Sequence, residues 1–321
     1  MTIMPNSLSK FWSMRKYVAF VITFLLLGTL LACGKMDNNG VVQLSSASVE
    51  KLSEVTLDGV KFVRTEDGAV VQIGGKEEIF RVLFEDDANL ILGTSKLIWV
   101  RGNDVSVIDP PARTSEVFEI VPWVLNHDLY AFMYEPSPET QELLGAVYRY
   151  GDKGWHKLYD LAPPCDFSYA VVHDGDVYFY GGRAGVFRLD DGRLIDIGNL
   201  DHSSGVVFSG EKMFVLAGLT SPTVYSYDLS NEKMSEVRVF KNTHDISWVG
   251  ICGFPYMGKL PVFLLEKYVN GEFFLYAYDA ASDKLIPAGQ VEEDVAWYSC
   301  LYKGSDVYLF GDDIYRVSLK K

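Results

Sequence analysis

Basic residues, histidines and cysteines are all scarce in this chain of 321 residues, and each scarcity argues against certain classes of function. Lys and Arg number 29 against 43 Asp and Glu, which gives a formal net charge of −14. Nucleic acids and anionic lipid surfaces are bound by basic patches, so this balance argues against both as partners. The five histidines show no His-Glu-x-x-His spacing, and neither a phosphate-binding loop nor a serine nucleophile elbow occurs in the sequence. We therefore expect no metal and no cofactor.

An apolar leader is present at the N-terminus, and it ends at a cysteine. Arg15 and Lys16 precede the almost entirely apolar residues 18–31, and Leu30-Leu31-Ala32-Cys33-Gly34 follows. This string resembles the lipobox of bacterial lipoproteins, which implies cleavage before Cys33 and lipidation of its sulfur, with palmitate among the attached acyl chains. The apolar run of about 14 residues makes about 21 Å of helix, which is short for a membrane span. An uncleaved anchor is the alternative.

The leader also predicts the cellular location of the protein and the division of its chain into segments. Met14 would open a signal of ordinary length and is the expected start of translation. Residues 1–32 are predicted to be the signal peptide, 33–48 a flexible tether and 49–321 the folded domain. The resemblance implies a lipid anchor on the periplasmic side, and Gly34, in place of the aspartate that retains lipoproteins on the inner membrane, favours the outer membrane. Without its leader the chain has a net charge of −17, which permits a basic partner.

Three cysteines remain once Cys33 is lipidated. They are Cys165, Cys252 and Cys300, and their spacings match no metal-binding motif. An odd number in an oxidising compartment leaves at least one thiol unpaired. Cys252 and Cys300 fall in equivalent strands of consecutive repeats and could form a bridge; buried free thiols are the alternative. The sequence leaves both open.

A repeat of about forty residues organises the chain after residue 50. Short runs of β-branched and aromatic residues are separated by Asp-Gly and Gly-Gly turns, which is typical of strands and hairpins. One strand pattern begins at Val70, Val105, Val147, Val186, Val224, Leu275 and Ile314. The mean spacing near 41 residues fits one four-stranded blade, so we predict an all-β protein, a single β-propeller with seven blades, or six as the alternative. The last unit lacks an outer strand, and residues 41–44 or 51–57 could supply it.

Unit four shows the whole pattern of a blade. A turn at Asp174-Gly175, the double glycine Gly181-Gly182 and the strand that starts at Val186 follow one another. A double glycine before such a strand resembles a kelch repeat, and the Tyr-Asp turns of units five and six are similar. The resemblance is degenerate, since the kelch tryptophan of the outer strand is absent from units five and six. It implies a fold and no particular activity.

Acidic residues recur where the inner strands are predicted to begin. Because such connections converge on the central channel of a propeller, they form a candidate binding face for a cation or a basic side chain. The alternative is that each Asp accepts backbone hydrogen bonds at a tight turn. The candidate residues are Asp87, Asp166, Asp201, His202, His244, Asp245 and Asp294.

Two classes of function follow from these observations. The first is a noncatalytic module that binds a protein, such as an envelope assembly factor or an immunity protein that neutralises a basic secreted toxin. The second is an enzyme or lectin that acts on a glycan or a small sugar, as kelch-like propellers do. The lack of a recognisable acid–base pair favours the first class, with no catalytic residues.

Overall fold

Every regular element in the described part of the chain is a β-strand, as the sequence predicted. The computed structural model describes residues 43–102, 104–112, 119–137, 142–161, 163, 166–183, 185–198, 200–296 and 298–321. The leader, Cys33 and Cys165 lie outside the described residues. Within these ranges, no helix has the length and apolar character needed to cross a membrane.

The strands form seven antiparallel sheets of four, each a blade. The first strand of the chain, β1 (Ser46–Leu52), belongs to the last blade, so blade 1 begins with β2. Blade 1 comprises β2 (Glu54–Leu57), β3 (Val60–Thr65), β4 (Gly68–Ile73) and β5 (Lys76–Ile79). Blade 2 comprises β6 (Arg81–Glu85), β7 (Asn89–Gly93), β8 (Leu97–Arg101) and β9 (Asp104–Ile108). Blade 3 comprises β10 (Glu119–Leu125), β11 (Asp128–Pro136), β12 (Leu143–Gly151) and β13 (Gly154–Asp160).

Blades 4 to 7 continue in the same order, with the innermost strand first. They comprise β14 (Tyr169–His173), β15 (Asp176–Tyr180), β16 (Val186–Asp190), β17 (Arg193–Gly198); β18 (Gly205–Ser209), β19 (Lys212–Ala217), β20 (Thr223–Asp228), β21 (Lys233–Val239); β22 (Ile246–Tyr256), β23 (Leu260–Val269), β24 (Glu272–Asp279), β25 (Lys284–Val291); and β26 (Ser299–Lys303), β27 (Asp306–Phe310), β28 (Ile314–Lys320). The architecture is a seven-bladed β-propeller, so seven blades are confirmed and six was wrong.

Turns of the predicted kind connect the strands. Asp58-Gly59, Asp174-Gly175 and Asp191-Gly192 each place two successive residues at positive φ, between 44° and 89°. This is the backbone of the two-residue hairpin whose twist matches that of its flanking strands. The Asp-Gly pairs in the sequence therefore fix the hairpins of the blades.

The N-terminal strand closes the ring. β1 pairs with β28 over seven residues, from Ser46 opposite Lys320 to Leu52 opposite Ile314, and completes blade 7. Only Ser53 separates β1 from β2, the inner strand of blade 1. Closure from the N-terminus is thus achieved without loss of a blade. Leu44 is fully buried, so the fold begins before the tether boundary predicted at residue 48.

The hydrophobic core lies between the faces of neighbouring blades. Its largest buried side chains include Trp123, Phe132 and Phe179, whose rings meet with centroids 5.4–5.5 Å apart between blades 3 and 4. Edge-to-face and tilted arrangements of this kind stabilise aromatic clusters beyond their area burial.

The repeat predicted from one strand pattern was right in six of its seven positions. Those six runs form the third strands of their blades, but the run at Val105 is β9, the outer strand of blade 2. The third strand there is β8. Leu97-Ile98-Trp99-Val100 is buried on both faces and lacks the alternation that was tracked, so its outer neighbour was chosen instead.

Candidate functional site

The central channel is lined by five inner strands. β6 contacts both β14 and β26 directly, although β10 and β2 lie between them in the order of the blades. The described residues that line the channel cavities come from strands and connections of blades 2, 4, 5, 6 and 7, together with Phe80 between blades 1 and 2. The inner strands of blades 1 and 3 are therefore set back from the axis.

Two cavities lie one above the other in the channel. The wide cavity has a volume of about 710 Å³ and is bordered by the connections that lead into the inner strands and by the turns between second and third strands. The narrow cavity, of about 360 Å³, lies toward the turns that follow the inner strands. Tyr169, Ser204, Ile251 and Tyr298 line both cavities. We call the end that carries the wide cavity the mouth face and the opposite end the entry face.

Arginine, and not only carboxylate, faces the wide cavity. Arg81 and Arg183 line it together with Asp166 and His202. The guanidinium of Arg81 is half-buried, and its Cζ lies 5.1 Å from the ring centroid of Tyr169. Burial opposes the charge of Arg81, but the Tyr169 hydroxyl and the carboxylate of Glu119 outweigh it and raise the pKa of Arg81. The cavity thus holds a fixed, partly desolvated cation.

The double glycine shapes the wall of the wide cavity. Gly181 and Gly182 have φ of 95° and 64°, and both line the cavity. A Cβ on Gly182 would lie 2.8 Å from the carbonyl oxygen of Asp166, and one on Gly181 would lie 2.9 Å from Ser168 Cβ. The Gly181 N–H donates to Ser203 Oγ at 3.0 Å. The pair of glycines lets the connection that carries Asp166 lie against this turn.

Glu85 gives the narrow cavity a weakly acidic carboxyl group. It ends β6, and its Oε2 accepts a hydrogen bond of 2.9 Å from the Tyr302 N–H. Burial raises the pKa of Glu85 to about 8, and it also raises the pKa of Tyr180 in the same cavity. Lys303 is paired with Asp58 at 2.8 Å. Glu85 is therefore mostly protonated at neutral pH.

A disulfide joins Cys252 to Cys300 across the inner strands of blades 6 and 7, and both cysteines line the narrow cavity. The bridge that the sequence left open is present in the structure. It fixes β22 to β26 on the channel wall.

The predicted acidic residues are dispersed. Asp166 and His202 line the wide cavity, and the neighbouring Asp201 carbonyl accepts from the Gly218 N–H at 3.0 Å. His244 Nδ1 and Asp245 Oδ1 lie 3.0 Å apart, with side chains 99% and 79% exposed, and neither lines a cavity.

Asp294 and Asp87 take other roles. Asp294 Oδ1 accepts the Ala296 N–H at 2.9 Å, which is the turn role weighed as the alternative. Asp87 was placed wrongly, because it precedes the second strand β7 and lies at the opposite end of the channel, in the narrow cavity. The preceding Asp86 makes this turn by accepting the Ala88 and Asn89 N–H groups, which gives the segment the appearance of an inner-strand start.

Sequence reasoning missed the side chains that give the channel its chemistry. Arg81 and Glu85 are the two ends of one strand, Arg81-Val82-Leu83-Phe84-Glu85, whose middle is buried. A charged residue at each end of a short apolar inner strand is a usable signal, because the strand spans the channel wall. The tyrosines gave no such signal, since tyrosine is common throughout this chain.

Among the described residues, no group of three or more His, Cys, Asp or Glu side chains is placed to hold a metal ion. No family model matches the sequence, and no curated protein matches it.

Several solved structures are similar in fold. Virginiamycin B lyase from Staphylococcus aureus is 10% identical, with a TM-score of 0.49 over 86% of this chain and 100% of that one. Oligogalacturonate lyase in complex with manganese is 11% identical, with a TM-score of 0.49 over 87% and 98%. The computationally designed Ika8 protein is 9% identical, with a TM-score of 0.47 over 87% and 98%. At such identities the likeness concerns the fold alone.

Proposed function

We propose that this chain is a lipid-anchored periplasmic protein whose propeller binds a protein partner at the mouth face, without catalysis. The anchor is Cys33, and Gly34 favours the outer membrane. The observation that carries the proposal is the position of the N-terminal strand. The chain enters the propeller at the entry face, at the opposite end of the channel from the wide cavity and the mouth face.

Three contacts fix this geometry. The Ser45 N–H donates to the Lys320 carbonyl at 2.8 Å, at the end of β28. The Nζ of Lys284, the first residue of the fourth strand of blade 6, donates to the Leu44 carbonyl at 3.0 Å. The Leu319 N–H donates to the Ser305 carbonyl, in the turn that follows inner strand β26. All three lie on the entry face, because turns between first and second and between third and fourth strands share one end of a propeller.

The tether is short compared with a protein domain. Nine residues lie between Cys33 and Gln43, and the ten Cα–Cα steps that join these two span at most about 35 Å when fully extended.

An apolar side chain and several acidic residues are exposed on the mouth face. Leu219, in the turn between β19 and β20, is 54% exposed and borders the wide cavity. Asp201, Asp245 and Asp294 lie in connections on the same face and are exposed. An exposed apolar side chain with acidic neighbours suits a partner that presents a basic edge around an apolar residue.

A glycan- or sugar-acting role is the second candidate, and Glu85 favours it. A carboxyl group with a pKa of about 8 is protonated at neutral pH and can donate a proton or a hydrogen bond. It lies in a cavity lined by Tyr169, Tyr180 and Tyr302, and aromatic rings bind the apolar faces of sugars. Loss of turnover of a sugar substrate in Glu85→Gln would support this role over the first.

Two experiments test the proposal. Metabolic labelling with a fatty acid should mark the wild-type protein and not Cys33→Ser; a labelled Cys33→Ser protein would refute the anchor. Cross-linking in whole cells should capture one stoichiometric partner, and Leu219→Glu should lose it. Met257→Glu is the matched control, because Met257 is 48% exposed in the turn between β22 and β23, on the entry face. Equal capture by both variants would refute the mouth face as the binding surface.

A further inference from the structure

Arg81 differs from the other arginines in the described part of the chain. Arg149, Arg188 and Arg238 each lie within 4 Å of an Asp carboxylate, and Arg64 and Arg316 are also paired with acids. Of the described arginines without such a partner, the rest are exposed, and Arg81 alone is half-buried. Glu119 acts on Arg81 only through its field, and no ion pair within 4 Å with a described carboxylate holds the guanidinium. In a chain with 43 acidic residues, a half-buried arginine on a cavity wall without such an ion pair requires explanation.

The surroundings of Arg81 orient it toward a ligand. Its guanidinium lies 5.1 Å from the ring centroid of Tyr169 and interacts with the Tyr169 hydroxyl. A guanidinium carries five N–H donors, so this contact leaves others for a ligand. Arg183 adds a second cation to the same cavity, against one carboxylate, Asp166. The wide cavity is therefore locally positive in a protein that is strongly negative overall.

The remainder of the lining is rich in hydroxyl groups. Ser168, Ser203, Ser204 and Ser299 line the wide cavity together with Tyr169 and Tyr298. A serine hydroxyl both donates and accepts, so such a lining suits a ligand that carries several hydroxyl groups of its own. The volume of about 710 Å³ lies within the usual range for small-molecule sites.

We propose that the wide cavity binds a small hydroxylated carboxylate, of the size and polarity of a sugar acid, with Arg81 as the anchor of the carboxylate. Arginine holds a carboxylate through two parallel N–H···O bonds, which are among the stronger hydrogen bonds in proteins. The serine hydroxyls then discriminate among ligands by their hydroxyl pattern. This site does not depend on a protein partner at the rim, because the ligand lies inside the channel.

Isothermal titration of the full-length protein in detergent tests the assignment. D-gluconate and D-glucuronate are the probes, and D-glucitol and D-glucose are their neutral counterparts, which lack the carboxylate. We expect saturable binding of at least one acid with an affinity at least about tenfold above that of its neutral counterpart. Arg81→Met should reduce that affinity by at least about tenfold, and Arg81→Lys by less, since a lysine keeps the charge without the fork.

The control is Arg101→Met. Arg101 lies 4.2 Å from the ring of Trp99 and so also stacks on an aromatic side chain, but it is exposed and lines neither cavity. Its replacement should leave binding unchanged. If Arg81→Met does not fold, Arg81→Lys and Tyr169→Phe carry the test, since both keep the volume of the wall. Three results would overturn the proposal: neither acid binds, acid and neutral counterpart bind equally, or inorganic phosphate alone binds at Arg81.

Discussion

Lys51 Nζ lies 2.6 Å from Asp313 Oδ2, and this pair joins the first strand of the fold to the last blade. Lys51 belongs to β1 and Asp313 to the turn between β27 and β28. Asp313 is buried, and it also pairs with Arg64 of blade 1. Tyr298 donates to Glu293 at 2.6 Å and accepts the Asp313 N–H at 3.1 Å, so the cluster reaches the wall of the channel. We call these residues the latch.

Lys51→Met should destabilise the fold by about 1–3 kcal/mol, because it leaves a buried carboxylate with one cation fewer. Urea denaturation of the full-length protein measures the change. The control is Lys61→Met, which removes an ion pair of 2.6 Å to Glu54 on the exposed surface and should cost less than about 1 kcal/mol. Equal losses in the two variants would contradict a special role for the latch.

The stability of the protein should fall as the pH rises from about 5 to 8. Burial raises the pKa of Glu85 to about 8 and that of Glu266 to about 7. In this window the native state keeps these protons, whereas the unfolded chain, with an ordinary glutamate pKa of about 4.3, has lost them. Each group therefore lowers the free energy of unfolding by up to about 1.4 kcal/mol per pH unit until it ionises in the native state.

Glu85→Gln should flatten this dependence, since glutamine does not titrate. Glu266→Gln should do so over a narrower range, ending near pH 7. The free energy of unfolding measured in urea at several pH values distinguishes the three proteins. A slope in Glu85→Gln as steep as in the wild type would show that Glu85 ionises normally in the folded state.

Reduction of the Cys252–Cys300 disulfide should lower stability by up to about 4 kcal/mol. The bridge spans 48 residues, and a loop of that length loses about this much chain entropy in the unfolded state. Urea midpoints with and without a reductant measure the effect. The double variant Cys252→Ala, Cys300→Ala should match the reduced wild type and show no response to the reductant; a wild type equally insensitive would rule out the stabilising bridge.

Gly182→Ala should cost more stability than Gly175→Ala. Both glycines have positive φ, 64° and 89°, so both variants incur the strain of about 1–2 kcal/mol that a left-handed alanine carries. Only Gly182 has a close neighbour, the Asp166 carbonyl oxygen at 2.8 Å from an added Cβ, whereas nothing lies within 4 Å at Gly175. Equal shifts in the thermal midpoint would contradict the close approach.

The fold was predictable because local signals repeat. Asp-Gly pairs at positions such as Asp174-Gly175 mark hairpins, and seven copies of a strand pattern define seven blades. The tracked pattern missed the third strand only in blade 2, where β8 is buried on both faces and shows no alternation. Closure from the N-terminus was anticipated, but the closing strand is Ser46–Leu52 and not residues 41–44 or 51–57. The single-residue connection at Ser53 was not predicted, because a strand of four residues such as β2 carries little pattern of its own.

The site was less predictable, because it depends on which inner strands reach the axis. Sequence spacing treats the seven inner strands as equivalent, whereas packing sets β2 and β10 back. Asp166 and His202 line the wide cavity because they precede inner strands that do line the channel. Arg81 was not predicted as a site residue. It stands out because no described carboxylate lies within ion-pair distance of it, and such distances are known only from the folded structure.

The single-residue connection at Ser53, between β1 and β2, determines how the propeller responds to a pulling force. A pull on residue 43 acts along β1, and its hydrogen bonds to β28 run perpendicular to that direction. The seven paired residues then resist together in shear instead of opening one at a time. Because β2 follows after a single residue, any slip of β1 would also draw the inner strand of blade 1 out of place. The strand that closes the ring therefore also gives it resistance to force applied at the N-terminus.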